Sequence, residues 1–215
     1  MAGMHPSLPA DRTVTVRVGQ VSYQMTHAGG RVGHFLDAGR PYEGRLLDDI
    51  RRRNLHGTAL DVGAQIGNHS VYLAAVCGLH VVAVEPDPVG WAYLRRNTVG
   101  HDVDCLNIAA YDSETTGRID AKTKTLTAPG GPIVCRPLDN VLALDDLAVV
   151  KADVEGTEPQ ALTGTLGMID RCGPVVYAET HTTAAKDAIS DVLGRVGYRW
   201  AYDIRMGSTM GVWER

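Results

Sequence analysis

Five carboxylates and one imidazole stand at or just beyond the ends of predicted strands, where they could bind a ligand or move a proton. They are Asp61, Glu85, Asp153, Glu155, Glu179 and His181. In an open sheet of alternating strands and helices, ligands collect outside the carboxyl ends of the strands. We therefore expect these side chains to meet around one site.

A glycine-bearing turn lies between the first two of these acids. Residues 60–70 read LDVGAQIGNHS, and residues 81–86 read VVAVEP. An apolar strand, a turn with glycines, a helix start and a second strand ending in an acid are typical of a nucleotide-binding βαβ unit. Glu85, at the end of the second strand, suits the hydroxyls of a ribose.

The glycine spacing indicates which nucleotide fits. A dinucleotide site requires Gly-x-Gly-x-x-Gly, whereas Gly63 and Gly67 are separated by three other residues and the middle glycine is missing. Pyrophosphate binding is therefore disfavoured. S-adenosylmethionine has a ribose and no phosphate, and its positive groups favour carboxylates such as Asp61 and Glu85. The alternative is a strand-to-helix turn that binds nothing.

A second constellation follows a later strand, in residues 151–158, KADVEGTE. Alternation along an extended backbone would place Lys151, Asp153 and Glu155 on one side. One carboxylate could meet the cofactor's ammonium group, and another could orient or deprotonate an acceptor hydroxyl. In the structural alternative, Lys151 neutralises its acidic neighbours and Glu158 complements a helix N-terminus.

A third pair, Glu179 and His181, shares a face in the same way. A histidine can accept a proton near pH 7, and a neighbouring carboxylate raises its basicity. The alternative is a partly exposed histidine at a helix start that Thr182 or Thr183 caps. Asp153, Glu179 and His181 could also gather a divalent metal, a possibility that sequence spacing leaves open.

Strand and helix patterns alternate along most of the chain, which predicts an α/β fold with a doubly wound, seven-stranded, mostly parallel sheet of Rossmann-like type. The predicted strands are 59–62, 81–85, 103–108, 147–152, 174–179, 198–202 and 209–213. The predicted helices are 68–76, 88–98, 158–166 and 183–196. The last two strands form a hairpin, so one strand is antiparallel. Residues 120–132 are rich in Thr, Lys, Gly and Pro and are predicted to be a loop or mobile hairpin.

The organisation is that of one compact domain. Residues 1–54 form a preface, with a hairpin over 13–18 and 21–25 and a surface helix over 42–53. Residues 55–215 form the main domain. Within the preface, the arginine run 51–53 could touch phosphate, but basic residues also favour a helix C-terminus, and we prefer that interpretation.

Composition narrows the class of protein. The chain has 215 residues and a formal net charge of −4, so it lacks the basic field that non-specific nucleic-acid binding requires. Four isolated cysteines, Cys77, Cys105, Cys135 and Cys172, indicate reduced thiols of a cytoplasmic protein. Residues 1–9 lack the pattern of a signal peptide, and no apolar run approaches the ~20 residues that span a bilayer. We expect neither secretion nor membrane insertion.

Taken together, these residues resemble the FkbM family of S-adenosylmethionine-dependent methyltransferases, within the class I fold. The motifs that carry the resemblance lie between residues 42 and 181. They are Tyr42-Glu43, residues 61–70, Glu85-Pro86, Ala110 with Asp112 and Gly117, Leu138-Asp139, residues 151–156 with Glu158, and Glu179 with His181.

The resemblance implies S-adenosylmethionine as methyl donor and a small-molecule acceptor, commonly a hydroxyl of a natural product or sugar. It also implies positions for the cofactor's parts. Gly63, Gln65, Gly67 and Asn68 would shape the methionine side, Glu85 with Pro86 the ribose side, Asn107, Ala109 and Ala110 the adenine side, and Glu43 would close the pocket. Gln65 stands where the family often has Asn, and this chain has little of the N-terminal extension seen in longer members.

We therefore predict O-methylation of a small molecule, with His181 or Asp153 as base and Glu155 as a third catalytic candidate. N-methylation is the alternative within methyl transfer. Two rivals come from other classes, a nucleotide-binding oxidoreductase and a non-catalytic S-adenosylmethionine-binding module. The sequence leaves the oligomeric state open, including whether the protein is a homo-oligomer.

Overall fold

A computed structural model describes residues 11–215 as an α/β fold. The strands are β1 (Arg12–Val18), β2 (Val21–His27), β3 (Thr58–Val62), β4 (His80–Val84), β5 (Val103–Leu106), β6 (Ala109–Ala110), β7 (Thr115–Ile119), β8 (Leu126–Thr127), β9 (Ile133–Arg136), β10 (Leu147–Ala152), β11 (Val175–Glu179), β12 (Arg199–Arg205) and β13 (Thr209–Glu214). The helices are α1 (Gly30–Asp37), α2 (Gly44–Arg52), α3 (Asn68–Ala75), α4 (Pro88–Asn97), α5 (Glu158–Thr163), α6 (Leu166–Cys172) and α7 (Thr183–Gly194), with a 3-10 turn at Leu138–Asn140.

The central sheet has seven strands in the order β12-β13-β11-β10-β3-β4-β5. Strands β11, β10, β3, β4 and β5 pair in parallel, and β13 runs antiparallel to both of its neighbours. The predicted doubly wound sheet and its terminal hairpin are confirmed. The order places β3 and β10 at the centre, so the segments that follow them lie side by side.

The core lies on both faces of this sheet. Leu60, Val82 and Val150 belong to one apolar cluster, while their neighbours Ala59 and Val81 belong to the other. Side chains alternate across a strand, and strands covered by helices on both faces bury every position. This double burial is why the central strands read as short continuous apolar runs.

The preface contains the predicted hairpin, β1 with β2, and the predicted helix, which begins at Gly44 and ends at Arg52. It also contains α1, which the sequence analysis missed. Two glycines hide this helix from a propensity argument, but Gly33 has a packing role because a Cβ there would overlap the ring of buried His27.

The arginine run at the end of α2 is largely engaged in ion pairs. Arg51 pairs with Asp48 at 3.1 Å, and Arg53 pairs with Asp49 at 3.3 Å and with Glu214 at 2.5 Å. These contacts support the structural interpretation of the run.

Several elements differ from prediction. The segment 120–132, predicted to be a loop or mobile hairpin, contains β8, which forms a hairpin with β7 within a small sheet of order β6-β9-β7-β8. The strand predicted over 103–108 ends at Leu106. The helix predicted over 158–166 ends at Thr163, and α6 begins at Leu166, because Gly164 lies so close to the carbonyl of Tyr111 that a Cβ would overlap it.

All four cysteines are free thiols. Among residues 11–215, no helix is both long and apolar enough to cross a bilayer. The segment 1–9, on which the signal-peptide argument rests, lies outside the described residues.

Candidate active site

A cavity of about 570 Å³ opens at the carboxyl ends of the parallel strands. Its wall includes the predicted acids Glu85, Asp153, Glu155 and Glu179. It also includes residues of the preface and of the small sheet. Of the six predicted side chains, Asp61 is fully buried and His181 is not part of the wall that residues 11–215 form.

The glycine turn after β3 is shaped by close packing. Gly63 has φ 80°, and a Cβ there would overlap the backbone carbonyl of Asp153. Gly67 has φ 83°, and a Cβ would stand 2.8 Å from Leu94 Cδ1. Both positions therefore require glycine. Gln65, which lies between them, also has a positive φ of 51°, a conformation that suits Asn better than Gln.

Glu85 is aimed into the cavity by backbone amides. Its Oε2 accepts a hydrogen bond from the Gln65 N–H at 2.7 Å, and its Oε1 accepts one from the Asp87 N–H at 2.7 Å. Burial raises the pKa of Glu85 to about 7, although both amides act to lower it. Each carboxylate oxygen retains a free lone pair for a ligand hydroxyl.

The residues expected along the adenine divide into two groups. Ala109 and Ala110 line the cavity, as does Pro86. Asn107 is not part of the described wall, because its side chain donates a hydrogen bond to the Glu85 carbonyl at 2.8 Å. Asn107 therefore braces the ribose-side acid instead of facing the cavity.

Asp61 also differs from expectation, because it does not reach the cavity. Ser70 Oγ donates a hydrogen bond to Asp61 Oδ2 at 2.6 Å, and Lys151 Nζ lies 3.1 Å from Oδ1. Burial opposes ionisation, but the Lys151 ammonium prevails and the pKa of Asp61 is lowered. Lys151 Nζ also donates a hydrogen bond to the Gly63 carbonyl at 3.0 Å. This buried ion pair holds the glycine turn in place.

The acids beyond β10 do not share a face in the predicted way. Strand β10 ends at Ala152, and Glu155 has φ 57°, so the backbone turns before alternation can align Lys151 with Glu155. Asp153 still approaches Lys151, with Oδ2 3.7 Å from Nζ. Glu158 accepts hydrogen bonds from the Val154 and Gly156 amides. These bonds favour a structural role for Glu158, as in the alternative interpretation of this segment.

Glu179 and His181 are in contact at the edge of the cavity. Glu179 Oε2 lies 2.9 Å from His181 Nε2, and Glu155 Oε2 lies 3.8 Å from the same nitrogen. Burial and the neighbouring Asp153 carboxylate raise the pKa of Glu179 to about 8. The side chain of His181 is 46% exposed, and Thr182 caps α7 by accepting from the Ala185 N–H.

The carboxylates here fall into two overlapping sets. Glu155, Glu179 and His181 offer three potential ligand atoms within 4.8 Å of one another, and Asp153, Glu158 and Glu179 form the second set. The predicted metal trio of Asp153, Glu179 and His181 is thus divided between them. Within the second set, the Glu158 carboxylate already accepts hydrogen bonds from the Val154 and Gly156 amides.

The preface contributes Tyr42 and Glu43 to the cavity wall. Glu43, in a left-handed conformation with φ 56°, places Oε2 3.5 Å from His69 Nε2 and accepts a hydrogen bond from Ser208 Oγ at 3.3 Å. The Tyr42 ring stacks on His69 with centroids 6.2 Å apart. Burial lowers the pKa of His69, so Glu43 faces a neutral imidazole.

Several wall residues were not assigned by sequence reasoning. They are His27, Arg31, Tyr42, His69, Ile119, Lys124 and Leu126. Tyr42 stood in a recognised motif, which was a usable signal. The β7–β8 hairpin offered none, because β8 has only two residues and is too short for a periodic pattern. Lys124 Nζ in this hairpin lies 3.6 Å from Asp87 Oδ2 and ties it to the start of α4.

The sheet order, the glycine turn after β3 and the acid after β4 define the class of protein as a class I methyltransferase. The model of the Methyltransferase FkbM domain matches residues 61–200, which is more than half of the chain. The chain therefore belongs to the FkbM methyltransferase family, and it is an enzyme.

Solved structures share the fold at low sequence identity. The methyltransferase FkbM from Methylobacillus flagellatus KT superposes with a TM-score of 0.56 at 20% identity, covering 74% of this chain and 43% of that one. The chain thus spans less than half the length of that protein. A putative rRNA methylase from Clostridium thermocellum gives a TM-score of 0.53 at 12% identity over 80% of this chain and 93% of that one. A putative RNA methyltransferase from Pyrococcus horikoshii gives 0.50 at 14% over 80% and 83%.

None of the curated proteins compared with the chain matches it.

Proposed function

We propose that this methyltransferase uses S-adenosylmethionine to methylate a hydroxyl of a small molecule held at the acidic end of the cavity. One observation carries the proposal. The glycine turn contacts Glu85 through the Gln65 amide and packs against the Asp153 backbone at Gly63, so a single cavity joins a ribose-binding acid to the Glu179 cluster.

The cavity fits the cofactor that the family implies. Its volume of about 570 Å³ lies within the range usual for ligand pockets. Glu85 presents free lone pairs to a ribose, and Asn68 Nδ2 is a buried donor without an acceptor among residues 11–215. A buried donor without a partner is costly, and a polar ligand removes that cost. When bound, S-adenosylmethionine supplies an electrophilic methyl group on a positively charged sulfur.

The acceptor's proton is the chemical problem that the protein's own residues solve. Glu179 lines the cavity, whereas His181 is not part of the described wall and contacts Glu179 Oε2. We therefore assign the role of base to Glu179 and that of a positioning residue to His181, which revises the sequence-based assignment. A carboxylate whose pKa is about 8 is a stronger base than an ordinary glutamate. Asp153, beside it, sustains that pKa.

The same acids favour a small acceptor over a nucleic acid. Asp153, Glu155 and Glu179 border one end of the cavity, and the net charge of the chain is −4. A phosphate backbone would meet repulsion at this end.

Activity against matched acceptors tests the proposal. A panel of hydroxyl compounds and the corresponding amines, with labelled S-adenosylmethionine, should give methyl transfer to hydroxyls. In Glu179→Gln, kcat should fall by about 10²–10⁴-fold, the usual contribution of a general base. In the parent enzyme, kcat should rise with pH up to about 8, and His181→Ala should shift that rise. Asp145→Asn, at an 86% exposed side chain, is the control.

Two results would count against these assignments. Turnover of the amines alone would replace O-methylation by N-methylation. A Glu179→Gln variant that binds cofactor and retains full turnover would remove Glu179 as the base.

A further inference from the structure

One cation on the cavity wall has no counter-ion within the part of the chain that the structure describes. Arg31 lies in the first turn of α1 and lines the cavity. Within residues 11–215 its guanidinium makes no hydrogen bond and no ion pair, and residues 1–10 contain no acidic side chain. A guanidinium placed on a pocket wall without a partner is available to an anionic ligand group.

The position of this guanidinium is set by two neighbours. It lies over the Tyr42 ring, 5.6 Å from the centroid. On another side it packs against Gly207, in the turn between β12 and β13, where a Cβ would overlap Arg31 Nη2. Both contacts restrict a long side chain before any ligand arrives, which reduces the entropy lost on binding.

The cavity wall has anionic partners for an ammonium group, but the cationic partner for a carboxylate has still to be identified. The methionine part of the proposed cofactor carries an ammonium and a carboxylate. Glu43 and Asp153 supply carboxylates for the ammonium. A carboxylate requires a cation or free N–H donors.

The other wall cations are already engaged. Lys151 serves Asp61, Asp153 and the Gly63 carbonyl. Lys124 pairs with Asp87 at the hairpin end.

Arg31 belongs to the methionine side of the cavity through its contacts. The Tyr42 ring beneath it stacks on His69, which is adjacent in sequence to Asn68. Asn68 also lines the cavity and has the buried Nδ2 that lacks an acceptor. A guanidinium and an unpaired amide donor thus line the same cavity.

We propose that Arg31 binds the carboxylate of the cofactor's methionine moiety, an inference that rests on the proposed cofactor. The ligand chemistry is a carboxylate received by a guanidinium held between an aromatic ring and a glycine backbone. The preface then contributes a positive charge to the cofactor site and closes over the reaction.

Calorimetric titration with two matched ligands tests this role without any acceptor. The first is S-adenosylhomocysteine, and the second is its decarboxylated form, which keeps the ammonium and lacks the carboxylate. Arg31→Gln should weaken binding of S-adenosylhomocysteine by about 10- to 100-fold, the usual effect of losing a charge-assisted bond. Its affinity for the decarboxylated ligand should be unchanged. Arg40→Gln is the control, because Arg40 is an exposed arginine over Phe35 that is not part of the described wall.

A second variant moves Arg31 without removing it. Gly207→Ala should displace the guanidinium and reproduce the ligand-selective loss. Gly194→Ala is its control, since a Cβ at 194 meets no atom within 4 Å. Melting temperatures of all variants verify that each remains folded.

The outcomes are distinct. If Arg31→Gln binds S-adenosylhomocysteine as the parent does, or loses both ligands equally, the carboxylate role is wrong and Arg31 is free to serve an anionic acceptor. If the parent protein binds neither ligand, the proposed cofactor fails, and the role of Arg31 fails with it.

Discussion

Glu85 shows how backbone geometry tunes one functional side chain. Two amides orient its carboxylate, while burial holds its pKa at about 7, near neutrality. A ribose hydroxyl donates to the ionised form more strongly than to the protonated form. Cofactor affinity should therefore increase as pH rises through about 7.

The same pKa predicts a pH-dependent stability. Between pH 4.5 and about 7 the folded state holds a proton on Glu85 that the unfolded state releases. The stability that this proton contributes to the folded state is complete at low pH and is lost as pH rises. A shift from 4.5 to about 7 corresponds to roughly 3 kcal/mol. Urea unfolding of the parent and Glu85→Gln should show the parent's relative stability declining by that order from pH 4.5 to 8. A constant difference across this range would contradict the assignment, and exposed Glu114→Gln is the control.

The buried Asp61–Lys151 pair gives a second residue-level prediction. Lys151→Met leaves a carboxylate with 0% exposure uncompensated, which should destabilise the fold by about 3–5 kcal/mol. Adding Asp61→Asn should recover part of that loss, because no buried charge then remains. Equilibrium unfolding of the two single variants and the double variant measures the coupling energy, and strictly additive effects would argue against a direct pair.

Sequence reasoning located the acids but not all of their roles. It placed Glu85, Asp153 and Glu179 at one edge of the sheet because strand ends can be read from apolar runs. It could not show that Lys151 reaches across from a neighbouring strand to cover Asp61, since register between distant segments is not encoded in spacing. Arg31 escaped notice for the same reason, because only the fold brings the preface to the cavity.

At the scale of elements, Asp139 caps α6 from outside the helix. Its Oδ2 accepts a hydrogen bond from the Gly167 N–H at 2.8 Å, and its Oδ1 accepts one from the Met168 N–H at 2.9 Å. These are donors of the first turn, which have no partner within the helix. The motif residue Asp139 therefore acts on structure, at a distance from the cavity wall.

Removing this cap should affect stability and leave ligand binding intact. Asp139→Ala should lower the free energy of unfolding by about 1 kcal/mol, the usual cost of a lost cap. Thermal unfolding measures the loss, and S-adenosylhomocysteine titration should give the parent's affinity. A marked fall in affinity would mean that the 3-10 turn at Leu138–Asn140 also shapes the cavity.

The elements that sequence predicted best are those with the strongest burial. The central strands are five or six residues long and almost wholly buried, and their positions were found to within one or two residues. The small sheet and α1 were missed because their contacts depend on tertiary packing. The packing of Gly33 against His27 is an example. A glycine is required there only because the β1–β2 hairpin packs against α1.

At the scale of the whole molecule, net charge argues against a nucleic-acid acceptor, although a putative RNA methyltransferase and a putative rRNA methylase share the fold. Likeness at 12–14% identity extends to the fold alone. With a net charge of −4 and an acidic cavity rim, the protein should not retain single-stranded or stem-loop RNA at about 0.15 M salt in a gel-shift assay. Retention that weakens steeply with added salt would contradict the small-acceptor proposal.

The central claim is that the cavity at the strand ends binds S-adenosylmethionine, and calorimetric titration tests it most directly. The purified protein should bind S-adenosylmethionine and S-adenosylhomocysteine saturably at one site per chain and should not bind NAD. Glu85→Ala should abolish that binding while retaining a folded thermal transition. Saturable binding of NAD without either adenosyl ligand would contradict the account and return the βαβ unit to a dinucleotide-binding role.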